Sequence, residues 1–127
     1  MPRLRLPLAM TRARLRRRNG EMIVAVFRSR LNTEAQEEYK ICAARMSVLA
    51  ANIPGYISHK GFVADDGERV TIVEFESEGA LRTWAAHPEH LEAKKKGRGF
   101  FFTEYRVQVC EVMRDSADRG GRNGRTR

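Results

Sequence analysis

Three histidines, His59, His87 and His90, are the side chains of this chain best suited to move a proton near neutral pH. His59 falls in a strand-like run, Tyr56 to Val63, where period-two alternation puts it on one face with Ile57 and Val63, toward a core or pocket. His87 precedes Pro88, and the residue before a proline is pushed out of helical geometry, so His87 is expected at a break between two short helices. His90, three residues on, can share its side of the second helix. Trp84, the one tryptophan, precedes His87 by three residues and is expected either in the core with its N–H paired or as the wall of a pocket. Tyr105 can donate a hydrogen bond to a developing oxyanion or simply pack. Phe27 is expected in the core, and Arg98, after Lys94-Lys95-Lys96, can hold an acidic substrate or end a solvated helix. His87 and His90 flank Glu89 without a third ligand at useful spacing, so no metal is expected. His87 first, and His59 second, are the candidate general bases.

The elements that must position these residues follow from periodicity and breakers. Met22 to Arg30 is β-branched and apolar before turning polar, which predicts a strand. Thr33-Glu34-Ala35-Gln36 has the form of a capping box with Thr33 as N-cap. Apolar residues then recur at Ala35, Tyr39, Cys42, Met46, Leu49 and Ile53, one helix face, and Pro54-Gly55 ends the helix. Tyr56–Val63 and Arg69–Glu76 read as strands joined through Asp66-Gly67, a hairpin signal. Ser77 is a plausible N-cap for a helix carrying Leu81 and Trp84, and Pro88 suits the first position of the next. That helix is expected to stop near Gly97 or Gly99, with Phe100 to Phe102 leading into a last strand, Glu104 to Met113.

Charge divides along the chain. Residues 1–20 hold seven Arg and no acid, residues 21–113 are slightly acidic, and residues 114–127 hold five Arg and two Asp. The overall +8 therefore belongs to the ends rather than to a domain surface, which argues against a nucleic-acid partner. Residues 1–21 are expected to be a basic tail, a targeting peptide, or sequence translated upstream of a start at Met22. Residues 22–113 are expected to form one domain, and residues 114–127 a disordered Arg/Gly-rich tail. No apolar stretch approaches the ~20 residues of a membrane span. Cys42 and Cys110 are expected as reduced core thiols, and the location as cytoplasmic.

The order strand, helix, strand, strand, helices, strand predicts an α+β ferredoxin-like βαββαβ plan: a four-stranded antiparallel sheet with helices on one face. Met22, Val24 and Val26 alternate with Ile23, Ala25 and Phe27, so both faces of the first strand are apolar and a single helical layer leaves one of them open. A homodimer packed sheet on sheet is the expected closure.

The segments MIVAVFRSRL at 22–31, NIPGYISHKGFVADDGERVTIVEFES at 52–77 and WAAHPEHLEAKKKGRGFFFTEYRVQVCEV at 84–112 together resemble the antibiotic biosynthesis monooxygenase family, within the dimeric α/β-barrel superfamily. The resemblance implies a small oxygen-using enzyme without metal or organic cofactor, in which an aromatic or quinol-like substrate is deprotonated between helices and sheet and its anion reduces O2. A related branch degrades haem with an Asn, a Trp and a His. Trp84 matches that tryptophan, Ser29 stands near the place of the asparagine, and Lys94 replaces the histidine, which argues against haem degradation. The function expected is a cofactor-independent monooxygenase, with His87 or His59 as base, Tyr105 orienting substrate, and Trp84, Ser29, Phe27, Arg98 and His90 lining the site. A non-enzymatic ligand-binding or stress-related dimer is the rival, and a nucleic-acid accessory role through the Arg-rich tails a third.

Overall fold

The computed structural model describes residues 21–118 and 120. The expectations for residues 1–20, and for most of the Arg/Gly-rich end, lie outside the described residues.

Four strands, β1 (Ile23–Leu31), β2 (Tyr56–Val63), β3 (Arg69–Phe75) and β4 (Phe102–Glu111), form one antiparallel sheet in the order β2-β3-β1-β4. The helices α1 (Gln36–Ala51), α2 (Glu78–Ala85) and α3 (Pro88–Lys96) provide the second layer of the expected ferredoxin-like plan. α1 turns its apolar stripe inward, with Ala50 buried and Ala35 buried just before its start, and leaves Ile41 and Val48 in solvent. The core joins Ala50, Phe75, Ala80 and Trp84, flanked by Met46, Leu49, Ile53, Tyr56, Val73 and Leu81.

Several local expectations are corrected. The cap before α1 is Asn32 rather than Thr33. Its Oδ1 accepts the Glu34 N–H at 3.1 Å, and a short 3-10 turn, Thr33–Ala35, leads into the helix. Asn32 wins because it is anchored twice more, its backbone N–H on the Phe101 carbonyl and its Nδ2 on the Phe100 carbonyl. Beyond α3 the chain does not stop at a glycine in left-handed geometry. Gly97 is helical, with φ −58°, and opens a π-helical turn, Gly97–Phe101, that buries Phe101 against Tyr39. Phe100 and Phe101 belong to that turn rather than to the approach of a strand. Gly97 is required by proximity, since a Cβ there would come within 2.9 Å of the Phe102 ring. Cys110 is exposed on edge strand β4 beside Val24, so it is not a core thiol, whereas Cys42 is half-buried.

Other signals hold. Ser77 Oγ accepts the Ala80 N–H at 3.2 Å and caps α2. Gly67, at φ +91°, closes the β2–β3 hairpin. Gly55, at φ +93°, turns α1 into β2.

Register assigns the two faces of the sheet. On the helix side run the cross-strand rows Tyr56–Phe75–Ile23, His59–Val73–Ala25–Val109, Gly61–Thr71–Phe27–Val107 and Val63–Arg69–Ser29–Tyr105. The other face carries Val24, Val26, Val70, Ile72 and Phe62, bordered by charge. Arg28 grips Glu68 with two bonds of 2.9 and 3.2 Å, and Arg30 joins Asp66 and Glu104. On the helix side the cover is uneven: Tyr105, Val107 and Val109 of β4 remain 45%, 53% and 53% exposed, so the helices leave this edge open.

Candidate functional site

The residues expected to act together separate into three groups on the helix side. The first surrounds Trp84, buried against Phe75 at the end of α2. The His90 ring lies flat on the indole, with centroids 4.1 Å apart and planes 10° apart, and His87 stands 5.9 Å away at a tilt. His87 has the expected extended geometry before Pro88 (φ −59°, ψ 131°), and its Nδ1 accepts the Glu89 N–H at 3.1 Å, capping α3. His90 reaches back to its platform, Nδ1 lying 3.0 Å from the Trp84 carbonyl oxygen. Burial holds His90 below the ordinary imidazole value of 6.5; the Trp84 carbonyl opposes this, while Lys94 and His87 nearby add to it. Lys94, which stands where the haem-degrading pattern would need a histidine, donates from Nζ to the Ala85 carbonyl at 3.1 Å and so satisfies an end carbonyl of α2.

The second group is aromatic and lies toward β4. Phe27 contacts Tyr105 at 6.0 Å and Phe102 at 5.3 Å, and Tyr39 reaches Phe102 at 5.6 Å. Ser29, 3% exposed, is the cross-strand neighbour of Tyr105. The Arg69 guanidinium caps the Tyr39 ring at 5.4 Å. Among the described residues no ring contact joins this group to the Trp84 group.

The third group centres on His59. A register shift between Tyr56 and Ser58 inserts Ile57 as an extra residue, so Tyr56 and His59, three apart, share the helix side. The consequence is a polar chain across the helix–sheet interface: Tyr56 Oη to His59 Nδ1 at 2.6 Å, and His59 Nε2 to Ser47 Oγ of α1 at 3.0 Å. Tyr56 and Ser47 were not singled out from the sequence, because no local spacing pairs a helix serine with a strand tyrosine. Arg98 is exposed in the π-helical turn, away from all three groups' hydrogen bonds.

Among the described residues no three His, Cys, Asp or Glu side chains converge as a metal site. No helix there is long and apolar enough to cross a membrane.

Comparison with known proteins shows the family and the fold. A Bacillus subtilis (strain 168) protein, the uncharacterised YqjZ, is 36% identical over 90 residues, covering 71% of this chain and 79% of that protein. Two solved structures share the fold. Mycobacterium tuberculosis Rv0793 has a TM-score of 0.68 at 16% identity, over 76% of this chain and 99% of its own. SnoaB, a cofactor-independent oxygenase from Streptomyces nogalater, has a TM-score of 0.66 at 19% identity, over 77% and 99%. Residues 22–96 match the family described as antibiotic biosynthesis monooxygenase, and with the YqjZ relationship this shows that the chain belongs to that family.

Proposed function

We propose that the protein is a cofactor-independent monooxygenase that oxidises a small aromatic, quinol-like substrate with O2. The single observation that supports this best is family membership combined with a histidine stacked on a buried tryptophan in the helical layer. The half-open aromatic strip of Phe27 and Tyr105 offers a face for a planar ring, with the Tyr105 hydroxyl as donor to a substrate oxygen.

The chemistry needs little from the protein. An anthrone-like substrate loses a proton to a base, and its delocalised anion passes electrons to O2. The activated CH2 becomes C=O while the second oxygen atom leaves as water, so the substrate supplies every electron. A base and a donor for the developing oxyanion are the protein's share.

The protein acts, in this proposal, as a homodimer closed over the outer sheet face that carries Val24, Val26, Val70, Ile72 and Phe62.

The test is oxygen uptake with a panel of anthrones and hydroquinones, with 18O2 to follow the inserted atom. One labelled oxygen in the ketone product is expected. No uptake above buffer with any substrate, together with tight aromatic binding, would replace the enzymatic proposal with a ligand-binding one.

A further inference from the structure

The proposed oxygenase reaction requires a group able to accept a proton, histidine being the side chain suited to it near neutral pH, and the choice among the histidines rests on the oxygenase proposal. A neutral imidazole has one N–H and one lone-pair nitrogen, and the hydrogen-bond partner of one nitrogen decides the state of the other. The backbone N–H of Glu89 can only donate, so His87 Nδ1 is the lone-pair nitrogen and the proton of neutral His87 sits on Nε2. Its lone pair is consumed by the cap. Both nitrogens of His59 are engaged by hydroxyls, Tyr56 on one side and Ser47 on the other.

His90 is the opposite of His87. The Trp84 carbonyl can only accept, so His90 Nδ1 carries the hydrogen and Nε2 carries the lone pair. Among the described residues no protein group occupies Nε2. The parallel indole 4.1 Å away holds the plane of the ring, and the carbonyl of the same tryptophan holds its rotation.

We propose that His90, through Nε2, is the general base of the reaction, and that Trp84 positions it twice, with its carbonyl setting the tautomer and its indole the plane. The substrate proton moves to Nε2, giving an imidazolium whose Nδ1–H still faces the Trp84 carbonyl. That proton returns to the peroxide formed on O2, and loss of the second C–H proton as the O–O bond breaks leaves the ketone and supplies the other hydrogen of the departing water. Burial and the neighbouring Lys94 and His87 keep the resting ring neutral, the form a base needs.

Two-bond 15N–1H correlation spectra of the full chain at pH 7.5 read each tautomer without any substrate. The expected result is His90 protonated on Nδ1 and His87 on Nε2. A His90 ring protonated on Nε2 overturns the proposal. The second arm uses the best substrate of the panel. His90→Gln should lower kcat by about 10²-fold or more, whereas Lys40→Gln, on the exposed face of α1, should change it little. Full turnover by His90→Gln alongside an active wild type removes His90 as the base and leaves the oxygenase proposal standing. An inactive wild type instead refutes the oxygenase proposal.

Discussion

Gly55→Ala tests the junction that brings Tyr56 and His59 beneath the helices. Two separate costs can be worked from the geometry. The residue sits at φ +93°, where an L side chain costs about 1–2 kcal/mol. Its added Cβ would also lie 2.7 Å from the Cβ of Ala80, a closeness that real side chains do not show. Ala80 has no longer side chain to swing aside, so relief requires moving α2, and overpacking of this kind costs about 1–3 kcal/mol. The total, about 2–5 kcal/mol, is a large part of the roughly 5–15 kcal/mol of an ordinary domain. Gly67→Ala is the matched control. It has φ +91°, but its new Cβ meets only the tip of Arg30 at 4.0 Å, so strain alone, about 1–2 kcal/mol, is expected. Urea unfolding followed by the emission of the single tryptophan, Trp84, measures both. Gly55→Ala should shift the midpoint by on the order of 1–3 M, and Gly67→Ala by clearly less. Equal shifts would refute this reasoning, because they would mean that α2 does not approach the Pro54-Gly55 turn as closely as the core packing requires.

Two further outcomes are expected. His90 is held below its ordinary 6.5 in the folded chain, so its contribution to stability is complete above that value and is lost as pH falls through the folded value. Stability between pH 8 and pH 5.5 should therefore fall by at most about 1.4 kcal/mol per pH unit from this group, and His90→Gln should flatten that fall; an unchanged slope would show that the ring is not kept neutral by burial. Phe62, 48% exposed on the outer face, lies where the proposed second copy would pack, so Phe62→Asp should lower the sedimentation mass toward one subunit without unfolding the chain, and an unaltered mass would move the interface elsewhere.

What could be read from the sequence was local. The alternation in β1 and β3, the helical stripe from Ala35 to Ile53, the Pro54-Gly55 and Asp66-Gly67 breaks, the Ser77 cap and the displaced His87 before Pro88 all appear in the structure close to their expected places. Each is governed by interactions within a few residues, where propensity and hydrophobic period are decided. The elements and their order therefore determined the ferredoxin-like plan.

The site depended on features that hydrophobic period and local propensity do not register. A single inserted residue, Ile57, rotated His59 onto the face of Tyr56, and periodicity has no term for a bulge. Asn32 displaced Thr33 as the cap because Phe100 and Phe101, nearly 70 residues away, supplied its other partners. The histidines, alike in type, were separated only by what each nitrogen faces: an amide for His87, two hydroxyls for His59 and a carbonyl for His90. The sequence by itself determined which groups able to carry a proton this chain possesses. Only the tertiary structure decided which of them keeps a lone pair, because a hydrogen bond depends on the partner that folding brings to it.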